Sequence, residues 1–307
     1  MTAPSDRVLT LETLRALQIR SDAAGALRLT IHVVCLLAAG WWVAIASGWL
    51  VLPAVFVLGL VQVALFAPAH ETMHQTAFAS RRANAIVGWL TSAPSLLNDR
   101  FYTAFHAAHH RHTQIPGQDP ELLAPPPDTI GGYILRILGL PFWRLRLLVV
   151  FDSWRGDLSR YLYVTTAAAP AIIRSVRLMS LVMVGGAVAS ALLFGWKTPF
   201  LFWIGPQILG QPPLRAYLLS EHTGCTHDRD GLTNTRTTLT NGAIRLLMWN
   251  MPYHAEHHMY PSVPFHRLPE AHAAVRARLG FLQPGYARWN LGFIRELSRR
   301  SDRSVAL

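Results

Sequence analysis

Cysteine is almost missing: Cys35 and Cys225 are the two thiols in 307 residues. Two cysteines cannot build a disulfide framework or hold an iron–sulfur cluster. Lysine is scarcer still, because of 28 basic residues only Lys197 is not an arginine. Acidic residues number 17, which leaves a net charge of +11. No helix-turn-helix, zinc-finger or RNA-binding signature accompanies that charge, so nucleic acid is not the expected partner. Anionic lipid headgroups or an acidic protein suit it better. Residues 1–20 have no apolar run behind their basic residues, and no signal peptide is expected.

What the chain has instead is apolar length. Hydrophobic residues make up 51% of it, and the mean hydropathy is +0.25, above the range of most soluble domains. Four nearly charge-free stretches, about 29–48, 50–69, 178–196 and 199–220, are long enough to cross a bilayer. Tight turns at Ser47–Trp49 and Gly195–Pro199 join them in pairs. Two shorter runs, 84–97 and 130–151, are interrupted by Pro94 or by Arg136, Arg144 and Arg146, and suit interfacial or re-entrant segments. Arginines flank the spans on one side only, and the positive-inside rule makes that side cytoplasmic. The expectation is an all-α integral membrane protein of one domain, 1–307. Four transmembrane helices in two hairpins would carry a helical cytoplasmic cap, 70–177 and 221–307. A water-soluble helical bundle fits the charge-free spans poorly.

Histidine is the chemically informative residue. Nine of the 14 histidines fall into four groups. His70 and His74 occupy "HETMH", His106, His109 and His110 occupy "HAAHH", His222 lies in "SEHTGC", and His254, His257 and His258 occupy "HAEHH". Composition alone predicts about 0.03 copies of His-x-x-His-His in such a chain, and two are present. On a helix, positions i, i+3 and i+4 share a face, so each group is expected to aim its imidazoles at one point. Clustered imidazoles repel when protonated and need partners when buried, and metal coordination meets both requirements. Nine nitrogens exceed one tetrahedral zinc and suit two metals of higher coordination number. His32, His227, His266 and His272 are expected to be hydrogen-bonded structural residues, and His112 to point away from the metal.

Two other classes compete. "HETMH" fits His-Glu-x-x-His, where Glu71 would activate water on a zinc held by His70 and His74, as in an intramembrane metalloprotease. That leaves the two His-x-x-His-His groups without a role. A metal transporter would line a path across the bilayer midplane, whereas these histidines sit at helix ends.

The order of these boxes resembles the integral-membrane fatty acid desaturase and hydroxylase superfamily, over roughly residues 55–275. The stretch "RTTLTNGAIRLLMWNMPYHAEHHMYPSVPFHRLPEAH", Arg236–His272, is similar to the third-box region of bacterial members, and "EHTGC" resembles the extra-histidine motif of alkane hydroxylases. The resemblance implies a non-heme di-iron centre held by His70, His74, His106, His109, His110, His222, His254, His257 and His258. It implies an oxidoreductase that uses O₂ and outside electrons on an unactivated lipid C–H bond, foremost an acyl-lipid desaturase. A hydroxylase or ketolase of alkyl chains, sphingolipid-like lipids or carotenoids is the alternative. The first box has three residues between its histidines where many acyl-CoA desaturases have four, which points away from that subclass.

Glu71, Asp119, Glu121, Glu221, Asp228 and Glu256 lie near these histidines and are candidates to orient the rings, Asp119 and Glu121 above all. Asn250 is a candidate for a water-mediated metal contact. Pro206, Pro212 and Pro213, with Gly205 and Gly210, are expected to kink the fourth span and open a slot for an elongated apolar chain. No dinucleotide-binding glycine motif or haem domain accompanies the boxes, so electrons are expected from a separate ferredoxin- or rubredoxin-type protein docking on the Arg-rich cap.

Overall fold

The computed structural model describes the backbone of residues 8–305 and the side chains of residues 8–300. Helix α1 (Leu11–Leu17) starts at Thr10 and α2 (Asp22–Ile45) at Ser21, each hydroxyl accepting from a backbone N–H three residues on. After α2 the chain turns tightly at Gly48, whose φ of +56° favours glycine. Helices α3 (Val51–Val63) and α4 (Phe66–Met73) follow almost end to end. Next come α5 (Arg81–Ser92) and α6 (Asp99–His112), capped by Ser80 and Asn98. The expected segment 130–151 is two helices, α7 (Ile130–Ile137) and α8 (Leu140–Arg155), because Gly139 sits between them in the left-handed region.

Helix α9 (Ala169–Phe194) stops at Gly195, and a π-helical turn, Phe200–Ile204, leads into α10 (Gly205–His222). The rest is short: β1 (Thr237–Leu239), α11 (Gly242–Leu247), α12 (His254–Met259), α13 (Leu268–Val275), β2 (Leu282–Pro284) and α14 (Tyr286–Val305). The two strands pair in parallel, Thr237 opposite Leu282, a small ribbon in an otherwise helical chain. Its three-residue strands are too short to leave an alternation pattern.

Three helical stretches among the described residues are long and apolar enough to cross a membrane: Asp22–Ile45, Gly48–Met73 and Ala169–Phe194. Along α2 and α9 large apolar side chains such as Leu37, Trp41, Leu181 and Leu192 stand exposed. Rows of this kind are solvated by lipid rather than by water. The fourth expected stretch is also helical but more polar. Gln207, Gln211, Ser220 and Glu221 of α10 are buried against protein rather than set on an apolar outer face. Although a short turn joins α9 to α10, α10 packs chiefly on α3, and α9 packs on α8 and α6.

Glycine makes the α3–α10 contact possible. A Cβ on Gly59 would lie 2.5 Å from the Pro206 carbonyl oxygen, and one on Gly210 2.4 Å from that of Gly59. Small residues at a crossing let two helix backbones touch. Gly210, expected at a kink, therefore serves close approach. Segment 84–97 does not run straight. It ends in a 3₁₀ turn, Ala93–Ser95, closed by Leu96 at φ +49°. With α5 packed on α4 and α6, the second box is brought back beside the first.

Candidate metal centre

Four elements deliver the nine histidines to one buried place. The end of α4 supplies His70 and His74, α6 supplies His106, His109 and His110, the end of α10 supplies His222, and α12 supplies His254, His257 and His258. Their rings fall into two groups. In the first, His70, His74, His106, His110 and His257 each offer a nitrogen within 4.8 Å of all the others. In the second, His109, His222 and His258 do the same. His254 adjoins the second, its Nε2 3.2 Å from that of His222.

The two His-x-x-His-His boxes do not each aim at one point. In α6 the first and third histidines join one group and His109 the other; in α12 His257 joins the first group while His254 and His258 face the second. The physical reason is that i+3 and i+4 lie about 100° apart around a helix. A helix pointing between two centres can serve both.

Hydrogen bonding alone does not satisfy this cluster. Nε2 atoms meet at 2.9 Å for His74 and His106, 3.0 Å for His106 and His110, and 3.2 Å for His110 and His257. Each ring nitrogen carries one proton or one lone pair. At the two inner positions, a single lone pair or proton would have to serve two partners. Both nitrogens of His70, Nδ1 of His110, His254 and His257, and Nε2 of His258 are buried without a hydrogen-bond partner. Burial and the neighbouring rings hold His106, His110, His254, His257 and His258 well below the ordinary 6.5. Neutral imidazoles with converging lone pairs are a donor set for cations, and the residues present fit a pair of metals with five nitrogens on one and up to four on the other.

Partners on the outer ring nitrogens orient the second group. His109 Nδ1 donates to Asp119, 2.9 Å from Oδ1 and 3.1 Å from Oδ2. Asp119 is itself fixed by the Gln114 and Glu121 backbone N–H groups. Burial would lower His109, but Glu121 and Asp119 outweigh it and raise it above the usual imidazole value. Glu121 Oε2 stands 3.9 Å from the same Nδ1. His222 Nδ1 lies 3.2 Å from the Asn234 carbonyl, and His258 Nδ1 3.2 Å from the Thr113 hydroxyl. Glu221 Oε2 is 3.5 Å from His254 Nε2.

The other candidates are placed differently. Glu71 is fully buried and accepts from the Thr76 hydroxyl and the Phe265 N–H, leaving Oε1 3.8 Å from His70 Nδ1. Glu256 bonds His272 and Thr237. Asp228 is exposed and accepts from Asp230 N–H, and Asn250 donates to the Phe265 carbonyl. His32 bonds the Val61 carbonyl, His227 that of Gln114, and neither they nor His112, His266 and His272 enter the two groups.

Thr113 and Asn234 were not anticipated. Thr113 stands three positions beyond His110, where a helix-end hydroxyl was a visible signal. Asn234 acts through its backbone carbonyl, which no residue type announces.

Beside the second group lies a cavity of about 720 Å³. His70, His106, His109, His222 and His254 form part of its wall, with Phe66, Tyr102, Leu145 and Leu218 among the apolar remainder. An elongated apolar chain held there would pass next to the imidazoles.

The family model described as Fatty acid desaturase matches residues 47–290, a range that includes all nine histidines. A beta-carotene ketolase of Paracoccus sp. (strain N81106 / MBIC 01143) is 30% identical over 253 residues, 78% of this chain and 86% of the ketolase. The sphingolipid delta(4)-desaturase DES1 of Drosophila melanogaster is 27% identical over 231 residues, 72% of this chain and 65% of its own length. The human sphingolipid delta(4)-desaturase/C4-monooxygenase DES2 is 26% identical over 231 residues, 73% and 65% of the two chains. The chain thus spans slightly less than two thirds of these sphingolipid enzymes. Histidine boxes that meet in space and a family match over most of the sequence lead to one conclusion: this chain belongs to the fatty acid desaturase family.

Proposed function

We propose that this protein is an O₂-dependent, di-iron membrane oxidoreductase that acts on an unactivated C–H bond of a lipid, most simply by desaturating an acyl chain. The convergence of nine imidazoles into two adjoining groups carries this reading. His70, His74, His106, His110 and His257 would hold one iron, and His109, His222, His254 and His258 the other. When bound, such a pair supplies, with O₂ and two outside electrons, an oxidant strong enough for an aliphatic C–H bond.

The chain's own residues do the rest. Asp119 holds the His109 Nδ1 proton and so keeps Nε2 free to ligate. Thr113 and the Asn234 carbonyl fix the tilt of His258 and His222. The apolar cavity wall places the substrate carbon and keeps water away from it. In this reading α10 is the fourth span, an even number of crossings sets the active site on the cytoplasmic side of the cell membrane, and a ferredoxin- or rubredoxin-type donor docks on the basic cap. The one-sided arginines support that orientation.

Oxygen insertion, as hydroxylation or ketolation, is the second reading, and the match over 86% of a beta-carotene ketolase favours it. Lipid profiling by mass spectrometry, in a host with and without the protein, separates the two. Loss of two hydrogens marks an alkene and gain of one oxygen an alcohol. Neither change, with zinc in place of iron in the purified protein, would return the assignment to hydrolysis at His70-Glu71-x-x-His74. Glu71 as placed speaks against that, since one of its oxygens is spent on Thr76 and the Phe265 amide.

A further inference from the structure

Part of the cavity wall is cationic. Arg136 of α7, Arg146 of α8 and Arg215 of α10 all line it. Among the described residues no carboxylate lies within 4.0 Å of any of the three guanidinium groups. Arg160, also on the wall, is by contrast paired to Asp152 at 3.2 Å. Arg146 is only 8% exposed, and the Nε atoms of Arg146 and Arg215 are buried without a partner. Both guanidiniums sit over the Phe142 ring, at 4.9 and 4.2 Å from its centroid. Arg136 donates to the Ala124 carbonyl.

Buried cations without counterions are costly and are kept where something anionic completes them. A guanidinium fork matches an oxyanion in geometry as well as in charge. Of the acids on the same wall, Asp119 is engaged by His109, and Glu121 and Glu221 stand beside His109 and His254, where they offset Arg136 and Arg215 in part; none of them serves Arg146.

We infer that Arg146, with Arg215 and Arg136, is a headgroup site for an amphiphile bearing a carboxylate or phosphate, whose apolar tail runs along the cavity toward the imidazoles. This deepens the proposed function, on which it rests for the meaning of the tail's position. It separates the chain from enzymes whose substrates are neutral hydrocarbons at both ends.

The test is a binding assay on the purified full chain in zwitterionic detergent, with tritiated palmitate as ligand and palmitate, hexadecyl phosphate and hexadecanol as competitors. The two anions should compete at least tenfold better than the alcohol. Whichever anion leads names the source, free acid or phosphoryl lipid. R146Q should lose at least tenfold in affinity for both anions and little for hexadecanol; R146K, which keeps the charge but not the fork, should fall between. Equal competition by hexadecanol in the wild type would overturn the site whether or not any variant folds, as would undiminished palmitate binding by a folded R146Q. Iron content, measured on the same samples, is independent of this outcome. A metal-poor protein that still prefers anions would sink the di-iron reading and leave the headgroup site standing.

Discussion

At the scale of single residues, the centre is a set of lone pairs whose directions are fixed from behind. Asp119 is the clearest instance. Replacing it with asparagine keeps the shape but weakens the hold on His109 and lowers the basicity of the ring. Loss of such a partner typically costs about 10–100-fold in metal affinity or activity, so D119N should retain its fold and show iron affinity lower by that factor in a chelator competition. An unchanged affinity would mean that Asp119 serves the loop rather than the metal.

His257 touches His110 and faces His70 and His74, so H257A should lose iron together with activity. A fully metallated, active H257A would remove it from the donor set. Much at this scale was legible in the sequence, because the boxes and the acid in "GQDPE" are side-chain features with a definite spacing. The assignment of each ring to one group or the other was not legible, since it depends on where α6 and α12 point. Nor was the partnership of Glu256 with His272, since it depends on how α13 packs on α12.

At the scale of elements, the position of His222 depends on how closely α10 can approach α3. Gly59 and Gly210 set that distance. A G210V substitution would drive a side chain into the Gly59 backbone, and overpacking of this kind costs about 1–3 kcal/mol. The expected result is a lower melting temperature in detergent, with reduced iron occupancy, while G186V on the open face of α9 should melt like the wild type. Equal melting of the two variants would refute the close-contact account.

Three of the four expected apolar spans were readable from length and hydropathy alone. The packing of α10 on α3 was not, because a tight turn after α9 suggests a hairpin and the sequence carries no record of which neighbour a helix meets. The polar residues of α10 were visible, but only the fold separates Arg215 and Glu221, on the cavity wall, from Gln207 and Gln211, buried against protein.

At the scale of the whole molecule, the buried histidines make stability depend on pH. His106, His110, His254, His257 and His258 are all depressed well below 6.5 in the folded, metal-free protein. The unfolded chain therefore binds more protons, and stability rises with pH across this range. It is fully present above about 6.5 and is lost progressively as pH falls below it. His109, raised by its carboxylates, and Glu121 and Glu221, raised by burial, run the other way but are fewer than the depressed rings. Melting temperatures of the metal-free protein should fall between neutral and mildly acidic pH, and metal loading should raise them by mass action. A melting temperature that stays flat or climbs on acidification would contradict the burial of neutral rings.

The central claim is that imidazoles from four separate elements grip a pair of irons. Metal analysis of the purified full chain tests it most directly, by the number of iron and zinc atoms per polypeptide in the wild type, in H106A and in H258A. The account predicts about two irons per chain in the wild type, negligible zinc, and loss of iron in each variant. One zinc per chain, retained in both variants, would contradict it.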